Sequence, residues 1–492
     1  MNISDNKKFD AVIIGSGIGG LISALILSKN SMKVAVFEKH HILGGNLQSF
    51  VRKKVKFDTG MHYFGATEEG GFISNLLKYI DVNVDNCFTD FENGIFDTII
   101  YNSKKYNFPA GIKNFKNFLL LNFPSEDKAI ETYINLLVKV YKNVSPKNIY
   151  NNIFENKLYY TGTKEYLDSI SNNSDFKNVL AGNSFLYDTS GGNSSIYAHA
   201  VIMSSFIFGA KKFANNSSDF VDILANKIIE SGGKIFKRTE INALNSVEGK
   251  IVSCKTFDGN IFYADNFISA VHPAITINLA EKGAFKKSYI NRISSLKQTK
   301  GAFVIYISFK DKSFKYFDSN LYFCNTKNSW DFFKSSDKNF PSNFFFTTPL
   351  SGREGDYTNS AVILTLMDFE EFAEWENTNH KTRPENYRIF KNEIAQKIFN
   401  SVEKHIPGFN NSVDKYYTSS PLTLRDYTGT VNGGIYGVER NCENVEESYI
   451  PVSTKISNLF LTGQNVNFHG MLGVSISSVL TCTAVLKKKI DF

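Results

Sequence analysis

The chain has 492 residues, 42% of them hydrophobic, with a mean hydropathy of −0.21. That length allows at least two domains around a large core, and the polarity excludes a multispan membrane protein. The net charge of +7 is spread along the sequence rather than blocked, which excludes a nucleic-acid-binding stripe and leaves a mild attraction to anionic membrane surfaces.

Phe9-Asp10-Ala11-Val12-Ile13-Ile14 reads as a short buried strand. It runs into Gly15-Ser16-Gly17-Ile18-Gly19-Gly20 and then into a helix carrying Leu21, Ala24, Leu25 and Leu27. Gly15 permits a tight turn, Gly17 removes a side chain where a pyrophosphate would approach the backbone, and Gly20 lets the helix sit close on the strand. Gly19 completes the motif. A second strand, Lys33 to Phe37, ends on Glu38 and Lys39, where a carboxylate is placed to accept hydrogen bonds from an adenosine ribose. The uncharged run from Ala11 to Leu27 is short for a membrane span. Lys29-Asn30-Ser31-Met32-Lys33 then leads into another strand rather than a signal-cleavage site. The pattern is that of a dinucleotide-binding unit.

Gly44-Gly45 follows, with Asn46-Leu47-Gln48-Ser49 behind it. This resembles the second glycine motif of the flavoproteins that include amine oxidases and carotenoid desaturases. The resemblance implies FAD, lying extended past Gly44, Gly45, Asn46 and Gln48. Many members carry Arg where Asn46 stands, so here more of the phosphate charge falls to backbone donors and the helix dipole.

With Phe57-Asp58-Thr59-Gly60-Met61-His62-Tyr63-Phe64-Gly65 the resemblance narrows to the retinol saturase and carotenoid isomerase branch of the phytoene desaturase family. It implies that Asp58, Gly60, Met61 and His62 lie by the isoalloxazine.

Between the ends, Ser125-Glu126-Asp127 opens a helix with Ile130, Tyr133, Ile134, Leu137 and Val138 on one face, read as core packing. In the resembled desaturases a helical part of the substrate domain admits a lipid-soluble substrate from the bilayer. Asp219 to Ser231 reads as an amphipathic helix capped by Gly232-Gly233, and Lys234 to Lys237 as a strand. Turns at Gly249 and Gly259 then lead to Asn266-Phe267-Ile268-Ser269-Ala270. This resembles the family's second FAD segment, with Ile241 at the adenine and Ser269 near the pyrophosphate.

Gly301 to Phe309, Phe344 to Phe346 and Val362 to Met367 read as strands, and Pro384 to His405 as a long helix. Pro421 to Tyr427 resembles a segment that approaches the flavin from the substrate side. Leu459 to Asn465 reads as a strand and turn, and His469-Gly470-Met471-Leu472-Gly473-Val474 opens a last helix ending at Leu486. Family members end this way. The resemblance sets Gly463 and Gln464 near the ribityl and pyrophosphate, with Leu472, Gly473 and Val474 at the flavin edge that is anionic when reduced. Related flavoproteins often have an acid in place of Gln464.

The expected fold is therefore α/β. A Rossmann-type FAD-binding domain, discontinuous over 1–70, 206–284 and 451–492, joins an α+β substrate domain over 71–205 and 285–450. This is an amine oxidase/phytoene desaturase-like architecture.

The flavin carries the redox step in such proteins, leaving orientation, electrostatics and a proton donor or acceptor to the chain. His62 is the first candidate, followed by Tyr427, with Arg425 lining the cavity. Asp58 is read as a brace for its turn, and His469 as packing. Cys87, Cys254, Cys324, Cys442 and Cys482 show no C-x-x-C spacing and are odd in number, and no histidine pair has helical metal-ligand spacing. No disulfide framework or metal is expected. A reducing cytoplasm fits, with peripheral contact at the inner face of the membrane.

The expected activity is an FAD-dependent oxidoreductase acting on C=C or C–C bonds of an apolar polyene or isoprenoid, as desaturase, saturase or isomerase. With no second G-x-G-x-x-G unit, electrons are expected to come from, or go to, a diffusible carrier or the membrane pool. The alternatives are a flavin amine oxidase and a non-catalytic flavin- or lipid-binding scaffold. One segment departs from the family. After the helix containing His199, close relatives of retinol saturase carry an aromatic pair, a proline and a double glycine. This chain has Gly209-Ala210-Lys211-Lys212-Phe213-Ala214-Asn215-Asn216-Ser217-Ser218. If that stretch lines the cavity, substrate or reaction direction differs; the alternative is a member that has lost turnover.

Overall fold

Continuous apolar runs suit strands covered on both faces, and two of them form the centre of the first sheet. In the computed structural model, which describes residues 7–60, 62–145, 153–379 and 381–492, Lys8–Ile14 pairs in parallel with Val34–Phe37, Ala11 opposite Val34. On its other side it pairs in parallel with Ile261–Ser269, Ile14 opposite Ser269. Lys234–Phe236 extends one edge. The antiparallel strands Ile241–Val247 and Lys250–Thr256 extend the other, and Leu459–Leu461 joins Phe267 to Ser269 in parallel. One seven-stranded sheet thus draws on the start, middle and end of the chain.

Two helices cover this sheet where its first and last segments meet. Ile18–Lys29 is buried from Ile18 through Leu27, and Gly470–Leu486 is almost as fully buried. A helix apolar on all sides belongs inside a core rather than on a surface. Small residues let the two approach closely, and Ser478 Oγ donates to the Gly19 carbonyl at 3.1 Å.

The second sheet also has seven strands, ordered Val413–Ser419, Gly301–Phe309, Ser360–Met367, Asn343–Thr347, Asn320–Cys324, Ile95–Tyr101 and Lys104–Pro109. All nine residues of Gly301–Phe309 are buried, and their alternation divides two environments. Phe303, Ile305 and Ile307 pack with Ile394 and Ile398 of the Glu385–His405 helix. Ala302 and Val304 face the opposite way, into a cavity against the first sheet.

Helices from Ile112–Asn122 to Ile196–Gly209 close a third side. In Asp127–Lys142, Ile130, Tyr133, Ile134 and Leu137 are buried and Val138 half-buried, so its apolar face packs inward as the periodicity predicts. It lies against Ile196–Gly209. Among the described residues, no helix is long and apolar enough to cross a membrane.

The departing segment after His199 does not line the cavity among the described residues. Lys211–Phe213 is a strand between Tyr63–Phe64 and Phe88–Thr89. Lys212 forms an ion pair with Asp318, donates to the Tyr316 hydroxyl at 2.8 Å and lies 5.3 Å from the centre of the Phe91 ring. The segment supports the chamber wall from behind.

Candidate cofactor and substrate cavity

One cavity of about 430 Å³ runs between the sheets, from Glu38 at one end to Tyr322 and Phe345 at the other. The glycines at its first end are explained by close approach. A Cβ on Gly20 would stand 2.1 Å from the Gly15 carbonyl oxygen, and one on Gly19 would stand 3.0 Å from Gly463 Cα. Gly17 differs, because a Cβ there meets nothing within 4 Å and the residue borders the cavity. Gly44 and Gly45 both have positive φ, and a Cβ on Gly45 would lie 3.3 Å from Gly17 Cα.

Two helix N-termini open into this space. Gly17 caps the first helix and His469 the last, neither supplies a side-chain cap, and neither helix has an acid in its first turn. The leading N–H groups of a helix need acceptors and carry its positive dipole end. Gly17, Gly19, Gly470, Met471, Leu472, Gly473 and Val474 all border the cavity. The cradle fits a diphosphate at the first helix and an anionic ring edge at the last.

Glu38 is buried beside the first loop. Its Oε2 accepts hydrogen bonds from Ser16 N at 3.0 Å and Ser16 Oγ at 2.6 Å, and its Oε1 accepts from His40 N at 2.8 Å. A carboxylate offers about four acceptor positions, so one remains for a ribose hydroxyl. Lys39 and Ile241 border the same end.

The structure also brings Gly15, Gly44, Gly45, Asn46, Gln48, Gly60, His62, Gly463 and Gln464 to the lining. Gly20, Asp58 and Ser269 stand outside it. Ser269 is fully buried, with its hydroxyl 2.7 Å from Thr276 Oγ1, while Ala270 beside it borders the cavity. Asp58 accepts from Ser49 Oγ at 2.6 Å, Ser217 Oγ at 2.9 Å and Ser217 N at 3.1 Å. Burial pushes its carboxyl up while these donors pull it down; it braces the turn from behind. Met61 lies outside the described residues.

Tyr427 is 38% exposed at the rim, edge-on to His40 with ring centres 5.4 Å apart. That contact places it by the Glu38 end rather than in the aromatic chamber. Arg425, also expected to line the cavity, instead bonds Asp426 and lies 5.8 Å from the Phe369 ring centre.

The far end is apolar, walled by Phe185, Phe206, Val304, Phe345 and Leu364. His62 stacks on Phe345 with centres 5.6 Å apart. Burial pushes its imidazole down to about 4, so it is neutral at pH 7. His469 stacks on Tyr436 at 3.9 Å, and its Nε2–H donates to the Leu186 carbonyl at 2.8 Å. Burial holds it neutral as well, near 4.

Sequence reasoning did not single out Tyr63, Asp97, Tyr322, Phe345 or Tyr436. Tyr63 adjoins His62 and was within reach of the motif. The others come from strands and turns whose pairing leaves no local signal.

The family of NAD(P)-binding Rossmann-like domains matches residues 13–80. The chain is 23% identical to an all-trans-retinol 13,14-reductase of Danio rerio, over 98% of this chain and 86% of that protein. It is 22% identical to the chloroplastic prolycopene isomerase 1 of an Oncidium hybrid cultivar, over 97% of this chain and 84% of that one. A triple mutant of putrescine oxidase, redesigned in its cofactor binding, matches with a TM-score of 0.67 over 98% of both chains at 12% identity, a likeness of fold alone. Over nearly its whole length the chain is similar to a retinol reductase and a prolycopene isomerase, and it shares its fold with an amine oxidase.

Proposed function

We propose that this protein is an FAD-dependent oxidoreductase acting on C=C or C–C bonds of an apolar polyene or isoprenoid. The observation that carries the reading is the division of one cavity. Two uncapped helix N-termini and Glu38 occupy its polar end, and a wall of aromatic and aliphatic side chains its other end. Glu38 would hold the ribose, the Gly17 loop and first helix the pyrophosphate, Gly44 to Gln48 and Gly463 the ribityl chain, and the start of the last helix the flavin edge. FAD bound there supplies two-electron chemistry.

A polyene offers almost no polar atom to grip, so shape and dryness must position it. Phe185, Phe206, Phe345 and Leu364 exclude water and leave room for a flat chain. The names of the relatives, a retinol reductase and a prolycopene isomerase, point to polyene substrates. Among the described lining residues the carboxylates are Glu38 and Glu240. Thr239, beside Glu240, donates to the Glu38 carbonyl at 2.8 Å, so both acids sit at the nucleotide end. A cationic amine would find no counter-charge in the chamber, which disfavours the amine oxidase reading. Electrons would pass through a diffusible carrier. The five free thiols suit a reducing cytoplasm, and the basic net charge suits contact with the inner face of the membrane.

The test is ligand capture. The FAD-loaded protein is incubated with a lipid extract of its host, re-isolated and extracted for mass spectrometry. A bound polyene or isoprenoid is expected, and enrichment of an amine instead would overturn the reading.

A further inference from the structure

Asp97 is fully buried behind the chamber wall and forms no ion pair among the described residues. Its Oδ2 accepts from the Tyr63 hydroxyl and from Asn183 Nδ2, each at 2.9 Å, and its Oδ1 accepts from Asn320 Nδ2 at 3.3 Å. The Tyr63 oxygen lies 2.7 Å from the Tyr322 hydroxyl. Tyr63 and Tyr322 border the chamber and Asp97 does not. A continuous path of carboxyl, hydroxyl and hydroxyl therefore leads from the core to the substrate space.

An isolated buried carboxylate is costly, and such a group shifts toward its neutral form. Burial pushes Asp97 up to about 7, against the pull of its three donors. The titratable groups facing it are Tyr63 and Tyr322, both held neutral; Asn183 and Asn320 are uncharged. The surroundings serve both protonation states. As a carboxylate, Asp97 keeps three donors. When it is protonated, the unpartnered Oδ1 of Asn183 can be turned toward it by rotation of the amide.

Direction matters in such a chain. While Asp97 is a carboxylate, Tyr63 donates to it and Tyr322 donates to Tyr63, so no proton faces the cavity. Protonated Asp97 reverses the order, and Tyr322 then presents its O–H to the chamber.

We propose that Asp97, Tyr63 and Tyr322 form a proton relay for the C=C chemistry, with Tyr322 as the catalytic acid and Tyr63 and Asp97 as positioning residues that resupply it. This rests on the function proposed above. In the saturating direction the C=C π bond breaks. One carbon takes a hydride from the reduced flavin, which is oxidised, and the other takes the Tyr322 proton. Tyr322 is reprotonated by Tyr63, and Tyr63 by Asp97, which is left as the carboxylate. When product leaves, water reaches Tyr322 and the relay reloads. Desaturation runs the same path backwards.

The test has two arms. In FAD-loaded, photoreduced protein with all-trans-retinol as probe, Tyr322→Phe should slow flavin reoxidation by about 100-fold or more, with FAD and retinol binding unchanged. Asp97→Asn should remove an inflection near pH 7 from the pH profile of that rate. In the chain without cofactor, infrared titration should show a protonated buried carboxyl that is lost near pH 7, absent in Asp97→Asn and shifted in Tyr63→Phe. A wild-type rate in Tyr322→Phe, or no such carboxyl band between about pH 5 and 9, would overturn the relay. If the photoreduced wild-type protein is reoxidised by no polyene, the proposed function fails on its own, and the infrared arm still tests the coupling of Asp97 to Tyr63.

Discussion

The Glu38 carboxylate accepts a 2.6 Å hydrogen bond from the Ser16 hydroxyl, which ties the end of the second strand to the glycine loop. The contact fixes the acid where it can reach a ribose, and Ser16 and His40 take only part of its acceptor capacity. Glu38→Gln keeps the shape but removes the charge. It should weaken FAD binding by about 10- to 100-fold, the worth of one or two charge-assisted hydrogen bonds. Fluorescence titration of cofactor-free protein with FAD measures this, and an unchanged affinity would refute the assignment.

Two glycines of the same motif should fail differently. A side chain on Gly17 enters open cavity, whereas one on Gly20 meets the Gly15 carbonyl at 2.1 Å. Gly17→Val should therefore unfold at the wild-type temperature without cofactor, yet retain no FAD. Gly20→Val should lose about 3 kcal/mol of stability or more, because the strand and helix must separate. Thermal unfolding of both variants with and without FAD separates the effects.

Lys212 is buried in its ion pair with Asp318, outside the cavity lining. Lys212→Met leaves the acid short of its cation, and about 3 kcal/mol of stability should be lost. FAD affinity and polyene turnover should stay close to wild type at low temperature. Loss of turnover without loss of stability would show that the departing segment acts on the reaction directly.

Two buried imidazoles, His199 and His272, and two half-buried ones, His62 and His469, make the fold sensitive to acid. Burial lowers His62, His272 and His469 to about 4 and His199 to about 3. Below the ordinary histidine value of about 6.5 the unfolded chain binds protons that the folded chain does not, so stability is full above that pH and falls as pH drops toward 4. His199 also bonds the Tyr133 and Tyr187 hydroxyls, each at 2.7 Å. His199→Gln should cost about 2 kcal/mol at pH 7.5 and flatten the fall in melting temperature between pH 6.5 and 4. A melting temperature constant across that range would contradict these assignments.

The cofactor end was legible because its determinants are local. Gly15 to Gly20, Glu38 and Gly44-Gly45 all lie within the first 45 residues, and each answers to a turn or close approach that a short motif encodes. The chamber was not legible in the same way. Asp97 and Tyr322 meet because Ile95–Tyr101 and Asn320–Cys324 pair in parallel, a partnership across more than two hundred residues that neither strand announces. Arg425 shows the opposite error. Its segment touches the cavity, and Tyr427 borders it beside His40, but helical geometry turns Arg425 toward Phe369.

The central claim is tested most directly under anaerobic conditions. The FAD-loaded protein is photoreduced and mixed with all-trans-retinol and, separately, with a lycopene isomer, and the flavin spectrum and the recovered polyene are followed together. The expected result is a polyene altered at its double bonds, either heavier by two hydrogens as the flavin reoxidises or isomerised with the flavin still reduced. Unchanged polyenes, together with reduction of the oxidised FAD-loaded protein by a simple amine, would contradict the claim.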